Sequence, residues 1–431
     1  MVQLTSQEQA MLEGKEGRLK QVAMENIVRY AEILGARELC VVTKATVFCG
    51  AHNYLKVIDS QDPEEVFSRM NLLREENIPF DAIDADCYCQ SCVSACDLTK
   101  YRELGQSEQT FCLNHRYLEI ARAAGVILTG SCSPYLTGWL PVKGEHFVTT
   151  ESGVTIIGNS LWAACGNSDG IEAAFWSAIS GRTPKWGNHL AENRGGTHLI
   201  HLAAELSSVL DWDIMGKVVG SRLPSGAVPV VTGNFAGVDF TRLRHFLTTL
   251  AISSNCELCH LVGLTPEAPD LATALRGREP QAELTLTRED MAEVYQHMCD
   301  DGCGPVDTVS LGCPHYDIHQ IQKVASLLRG KKVHPQVHLQ IWTVYPIQCM
   351  ADLNGYTQVI EEAGGHIYSG TCPGTIGECL FEQSASWAVD SLKQSKSIRN
   401  LAQTALYYGD MEHCLAAAVS GRWEEGYRWQ K

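Results

Sequence analysis

Apolar positions recur at helical spacing between residues 18 and 34, where Leu19, Val22, Ala23, Ile27, Tyr30 and Leu34 share one side and Gly35 supplies the stop. The short apolar run 39–42 then reads as a buried strand. KATVFCGAHNY follows it, putting Gly50, His52 and Asn53 just past a strand, where α/β proteins hold ligand groups. For His52 taken alone, a structural role fits at least as well as a chemical one. Residues 62–73 read as a helix. Between 108 and 124 the positions of Phe111, Leu113, Tyr117, Leu118, Ile120 and Ala121 predict another, and the strand 126–128 delivers Cys132 just beyond its carboxyl end.

From Thr129 to Ile200 the pattern changes to a long run dense in Gly, Pro, His, Glu, Asn and Ser. Connections of this length in compact proteins are functional or disordered. Disorder fits badly with Trp139, Phe147, Trp162, Phe175, Trp176 and Trp186 interleaved, so the run is read as an ordered active-site region. Within it, 154–157 reads as a strand and 171–179 as a helix capped by Asp169, with Glu172 three residues on and Gly181 as the stop. Its tail presents His189, Glu192, Asn193, Arg194 and His198 in a glycine-punctuated loop.

Residues 214–219 and 228–231 are strand candidates separated by the turn-like SRLPSG, and 240–250 a helix. Beyond 256 the alternation is regular: strands at 284–286, 306–310, 340–344 and 366–369, helices at 290–297, 318–328 and 356–363. Such repeated β/α units predict an α/β fold with mainly parallel sheets. The expected division is a first α/β region, 1–210, and a repeated β/α region, 211–431, which can divide again near 330–350. The last helix, 412–419, carries Cys414 as a packing residue.

Composition narrows the classes. With 431 residues, 45% apolar and 19% charged, the chain is expected to form two or three packed domains. A formal charge of −16 without any Lys/Arg block argues against nucleic acid or an anionic membrane as partner. No stretch has membrane-spanning length and the start has no secretion signal, so a cytoplasmic location is expected. Eighteen cysteines in a reducing compartment imply that some thiols have chemistry to do.

Cys132, Cys313 and Cys372 share a context: a short apolar strand before, Gly or Ser beside, and a proline within two residues. Glycine lets backbone approach a bulky group and proline fixes the loop exit. Three such loops at one edge of parallel sheets can converge on an iron–sulfur cluster with one open iron; the alternative is three thiols that never meet. Cys87, Cys89, Cys92 and Cys96 form a second dense set, with Cys256-x-x-Cys259-His260 as the candidate distant partner. A zinc or second cluster there stands against plain buried thiols.

The phrases CSPYLTG, GEHFVTTESGVTIIGNS, ISGRTPKWGNHLAENRGGTH, CHLVGLTPEAP, VSLGCPHYDIHQI and GGHIYSGTCP resemble, in order, those of the aconitase X family, as does the opening GKEGRLKQVAMENI. The resemblance covers nearly the whole chain. It implies an aconitase-like core of three α/β domains lacking the small swivel domain, which a separate small subunit would supply in a heteromer. It implies a hydro-lyase (dehydratase) acting on a small hydroxy acid, the family's substrates being cis-3-hydroxy-proline and mevalonate 5-phosphate. It places cluster ligands at Cys132, Cys313 and Cys372, with Pro134 and Tyr135 shaping the first loop. Glu151, Ser152, Asn159, Ser160, Asn167 and His198 fall to the substrate pocket. His52, His315, Ser391 and Lys393 fall to catalysis, with Ser391 or a serine of the small subunit as base.

The chain departs from the family where an Arg-Thr-Asn-Arg-Glu phrase is usual, since Cys165-Gly166-Asn167-Ser168-Asp169 stands there instead. Both arginines, natural donors to carboxylate or phosphate, are absent, which bears on a phosphorylated substrate. Two readings from other classes are a non-catalytic iron–sulfur protein with four-cysteine ligation and a zinc-binding structural protein using Cys87–Cys96. Neither accounts for the polar loops around Glu151–Asn159 and Asn188–His198.

Overall fold

The computed structural model describes all residues except 1, 48–59, 61, 70–79, 91–94, 299, 301–302, 382–383 and 425–431. His52 and Cys92 therefore lie outside the described residues, as do 70–73 of the helix expected at 62–73, whose described part is Pro63–Arg69.

Three parallel sheets carry the fold. The first is built from β1 (Leu39–Val47), β2 (Asp86–Cys89), β3 (Ile127–Leu128) and β4 (His146–Val148), in the order β3-β2-β1-β4, with β5 (Arg182–Pro184) antiparallel to the start of β1. β6 (His198–Leu202), β7 (Pro229–Thr232), β8 (His260–Leu261) and β9 (Ala282–Leu286) form the second, ordered β8-β7-β6-β9. After the two-residue β10 (Gly304–Pro305), the third comprises β11 (Thr308–Tyr316), β12 (His338–Thr343), β13 (Gly365–Ser369), β14 (Ser386–Val389) and β15 (Ala405–Tyr408), ordered β13-β12-β11-β14-β15. A final β16 (Arg422–Trp423) pairs with β10. Parallel neighbours need crossover connections, and helices supply them. The mainly parallel α/β class read from the alternation is the class observed.

Most helices lie where periodicity puts them, among them Arg18–Leu34 with Gly35 in the left-handed conformation, Glu108–Ala123, Ile318–Leu328 and Tyr356–Ala363. Two expected strands are helical instead. Residues 154–157 belong to the helix Ser152–Trp162, in which every residue from Gly153 to Ser160 is buried. Residues 214–219 belong to the helix Val209–Arg222, buried almost throughout from Leu210 to Gly220. A helix buried all round loses the polar face that marks its period, so a short apolar run from its middle reads like a buried strand. For the second helix the missed signal is its start: Ser208 and Asp211 form a capping box.

A third correction concerns Asp169. The helix Ile171–Ser180 is capped by Gly170 with no side-chain hydrogen bond. Asp169 is drawn instead into the bridge between Thr149 and Ser168, its N–H donating to the Thr149 carbonyl at 3.0 Å. Burial, reinforced by Glu257, pushes its carboxyl well above the usual range.

The helices Val209–Arg222 and Phe240–Ser254 pack closely because of two glycines. A Cβ on Gly216 would stand 2.5 Å from the Phe246 carbonyl oxygen, and one on Gly220 2.6 Å from Ser253 Cβ. This pair anchors the second unit, and the second helix carries Arg244 out of it toward the third sheet.

Candidate functional site

The Cys132 loop leaves β3 with Thr129 Oγ1 donating to the Cys89 carbonyl at 2.8 Å and the Gly130 N–H donating to the same oxygen at 3.1 Å. Gly130 has φ +61° and lies against the third unit: a Cβ there would meet the Tyr345 ring at 2.6 Å and Gly370 Cα at 2.8 Å. Gly370 in turn has φ +75° and stands two residues before Cys372, as Gly130 stands two before Cys132. Two glycines thus let two cysteine loops, one from each unit, come into backbone contact.

Cys313 arrives differently. β11 pairs in register with β12 up to Leu311 and again at Tyr316, so residues 312–315 are pushed out of the ladder. Gly312, at φ +108°, opens the excursion, and a Cβ on it would lie 2.4 Å from the Trp342 carbonyl oxygen.

One imidazole joins all three loops. His315 Nδ1 accepts from Ser131 Oγ at 2.8 Å, next to Cys132, and His315 Nε2 donates to the Thr371 carbonyl at 3.1 Å, next to Cys372. His315 itself follows Cys313 by two residues and is buried. Burial lowers it to about 4, so the ring is neutral and the donor–acceptor pair fixes its tautomer. Arg244, fully buried, donates from Nη1 to the His315 carbonyl at 2.9 Å and from Nη2 to Gln320. On the far side Asp97 accepts from the Ser369 N–H at 2.8 Å, and Thr371 Oγ1 donates to the Ala95 carbonyl at 3.1 Å.

The three thiols are each partly accessible while the groups around them are buried. They lie close enough to act on one another. Burial pushes Cys132 up to about 11, with Lys393 opposing and Glu151 and Cys372 adding. Cys313 is driven well above its ordinary range by burial, again against Lys393 and with Cys132 and Cys372 adding. Lys393, in the first turn of the helix Leu392–Leu401, is ion-paired to Glu151, the residue just before the helix Ser152–Trp162. Burial works against its charge, but Glu151 and the Cys132 and Cys313 sulfurs outweigh it and hold the ammonium well above its usual range. A carboxylate, an ammonium and three thiols therefore share one electrostatic environment.

The other expected residues divide. Ser391 is buried and caps the helix Leu392–Leu401, its Oγ accepting from the Gln394 N–H at 3.3 Å. Its neighbour Asp390 accepts from the Tyr316 hydroxyl, and burial raises it to about 7. Ser152 is the first residue of its helix, half-buried beside Glu151. Asn159 is fully buried: its Nδ2 donates to the Gly166 and Glu257 carbonyls at 2.8 and 2.9 Å, and its Oδ1 accepts from the Gly166 N–H and from Arg194 Nη1, both at 3.0 Å. Ser160 Oγ accepts from the Cys259 N–H at 2.9 Å. Asn167 bonds Trp186 and Asn188, and His198, at the start of β6, meets Thr197 Oγ1 at 2.9 Å. Asn159, Ser160 and Asn167 use their polar atoms to join segments of the protein to one another, while His198 bonds its chain neighbour.

Where the two arginines are absent, Ser168 has carboxylates for neighbours, and Cys165 lies between the charges of Arg194 and Glu267. The Ser168 N–H donates to Glu257 Oε1 at 2.8 Å, and Asp169 lies half-buried beside it. The nearest buried guanidinium, Arg194, is held by Glu267 and Asn159. Cys87 and Cys89 lie buried in β2. Among the described residues, none of Cys87, Cys89, Cys96, Cys256 and Cys259 joins two other potential ligands at metal-binding distance. Sequence reasoning missed Arg244, although an arginine among Leu243, Phe246, Leu247 and Leu250 on an apolar helix was its signal.

Family models match along the chain in three pieces: Aconitase X first domain over residues 1–192, second domain over 196–296 and third domain over 306–420. The phosphomevalonate dehydratase large subunit of Methanothermobacter thermautotrophicus is 30% identical over 86% of this chain and 88% of its own length. The cis-3-hydroxy-L-proline dehydratase of Pseudomonas aeruginosa is 27% identical over 96% of this chain and 70% of its own. The crystal structure of Thermococcus kodakaraensis aconitase X in its holo-form superposes with a TM-score of 0.81 at 25% identity, covering 97% of this chain and all of that one.

Proposed function

The chain belongs to the aconitase X family, and we propose that it is a hydro-lyase dehydrating a small, unphosphorylated hydroxy acid, as the large subunit of a cytoplasmic two-subunit enzyme. The observation that carries the reading is the convergence of Cys132, Cys313 and Cys372, through His315, on the Lys393–Glu151 pair. Relatives named as dehydratases support the reaction, and one named as a large subunit supports the small partner.

The donor set fits an iron–sulfur cluster. Three soft, partly accessible sulfurs stand on loops that glycines at 130, 312 and 370 allow to pack closely against Tyr345, Trp342 and one another. When bound on these cysteines, the cluster would supply a Lewis acid for the departing hydroxyl. The chain's own groups do the rest. Lys393 Nζ, held cationic, can share its charge between Glu151 and a substrate carboxylate. Glu151 Oε1, beside that ammonium, can take the proton from the carbon next to the hydroxyl. Ser391 Oγ, which accepts the Gln394 N–H at a helix N-terminus that would favour an alkoxide, is a second candidate for that base beside Glu151 and a residue of the partner. With both nitrogens bonded, His315 positions the loops.

Carboxylates around Cys165–Asp169, in place of arginines, support a substrate without phosphate. The test is co-expression with the small subunit, anaerobic purification, and assay of a hydroxy-acid panel with and without phosphate. Dehydration of an unphosphorylated acid is expected. Turnover of mevalonate 5-phosphate alone would overturn the substrate, and no dehydration by an iron- and sulfide-loaded complex would overturn the reaction.

A further inference from the structure

Away from the three cysteines, one set of side chains among the described residues has ligand atoms at metal-binding distances. Cys40 in β1, His146 at the start of β4 and His189 in the loop after β5 each offer a ligand atom, all within 4.8 Å of one another. Nothing in their sequence spacing links them; β1 pairs with β4 on one side and β5 on the other and so brings them together. His146 Nδ1 and His189 Nδ1 are 3.0 Å apart. Tetrahedral zinc with two imidazoles and a thiolate sets its donors about 3.3–3.8 Å apart, so the group needs only a small contraction and rotation to share one ion.

A metal-free packing cluster explains the set less well. Two neutral imidazoles facing through Nδ1 share a single hydrogen, and His189 is only 3% exposed. A metal on both Nδ1 atoms makes Nε2 the protonated position in each ring. Cys165 also stands beside His146: its carbonyl accepts from the Phe147 N–H at 3.0 Å and its N–H donates to the Glu145 carbonyl at 2.8 Å.

We propose that Cys40, His146 and His189 bind one structural zinc ion, with Cys165 toward the fourth position. Two nitrogens and one or two sulfurs suit zinc, and a site closed by protein is structural in type. The ion would fasten the loop 185–194 to β1 and β4. That loop carries Asn188, which donates to Glu257 at 2.6 Å, and Arg194, which reaches Asn159 and Glu267, so the staple would reinforce the joint between first and second units. The proposal is independent of the dehydratase reading.

The test is metal analysis of the full chain purified anaerobically from zinc-supplemented cells, with iron and sulfide counted in parallel. About one zinc per chain is expected, retained in Cys132→Ser and lost in Cys40→Ser and His189→Gln. Cobalt added to chelator-treated wild type should give the intense visible bands of tetrahedral coordination together with a thiolate charge-transfer band, in Cys132→Ser as well. This second measurement decides the matter if Cys40→Ser does not fold. Zinc lost in Cys132→Ser but kept in Cys40→Ser, or wild type with neither zinc nor the cobalt spectrum, would overturn the proposal.

Discussion

Replacing His315 by Phe keeps a ring in the same buried place and removes both bonds that join the cysteine loops. The Thr371 carbonyl loses its imidazole donor in a site where both residues are buried, and an unsatisfied buried acceptor costs about 1–3 kcal/mol. Ser131 Oγ loses its partner at 2.8 Å but still accepts from the Ser133 N–H at 2.9 Å, so its share is about 0.5–1.5 kcal/mol. Because the ring volume is kept, no cavity adds to the sum, and the variant should lose about 2–4 kcal/mol. The measurement is urea unfolding of the cluster-free chain, the midpoint difference being converted with the slope common to both proteins. Iron and labile sulfide per chain, after anaerobic purification, should fall to less than about half. Ser131→Ala, which spares the Thr371 bond, should lose roughly 1 kcal/mol, and the double variant should show the two changes to be coupled. A loss below about 0.5 kcal/mol with full iron content would refute the idea that His315 holds the three loops in place.

Lys393→Met leaves the largely buried Glu151 carboxylate without its partner and should cost about 3–5 kcal/mol and abolish dehydration; adding Glu151→Leu should restore stability but not activity, measured by the same unfolding series and by turnover. His245 is buried, its two nitrogens have no hydrogen-bond partner among the described residues, and burial lowers it to about 3. The unfolded chain therefore binds the extra proton first, and the native state loses stability as pH falls through the ordinary histidine value near 6.5 toward 3. Between pH 7.5 and 5, wild type should lose about 2 kcal/mol relative to His245→Leu, which lacks the proton site; parallel pH profiles of the two unfolding midpoints would count against it.

Three strands of the third sheet, β11 to β13, were legible because they alternate cleanly with helices bounded by polar or glycine residues, as at Tyr356–Ala363, whereas β14, β15 and the helix Leu392–Leu401 were not read. The helices Ser152–Trp162 and Val209–Arg222 were not, since burial on all sides erases the period that distinguishes helix from strand. Shared local context brought Cys132, Cys313 and Cys372 together as candidates. Context cannot report that Asn159 turns its amide to Gly166, Glu257 and Arg194, because those partners are set by tertiary packing. Cys40, His146 and His189 were illegible for a related reason: strand pairing assembles them, and no spacing in the chain announces it.

The two glycine-mediated loops have a consequence for biogenesis. Cys132 belongs to the first sheet's unit, whereas Cys313 and Cys372 belong to the third and emerge from the ribosome after the whole second unit. Gly130 meets Gly370 only once both units exist, so the three-sulfur site cannot close during synthesis of the first. If the cluster proposed above is bound there, its insertion would follow synthesis of the third unit, and the early-made Cys132 loop would wait in a nascent protein with its sulfur unligated. Cells starved for cluster supply would accumulate a finished chain ready for loading.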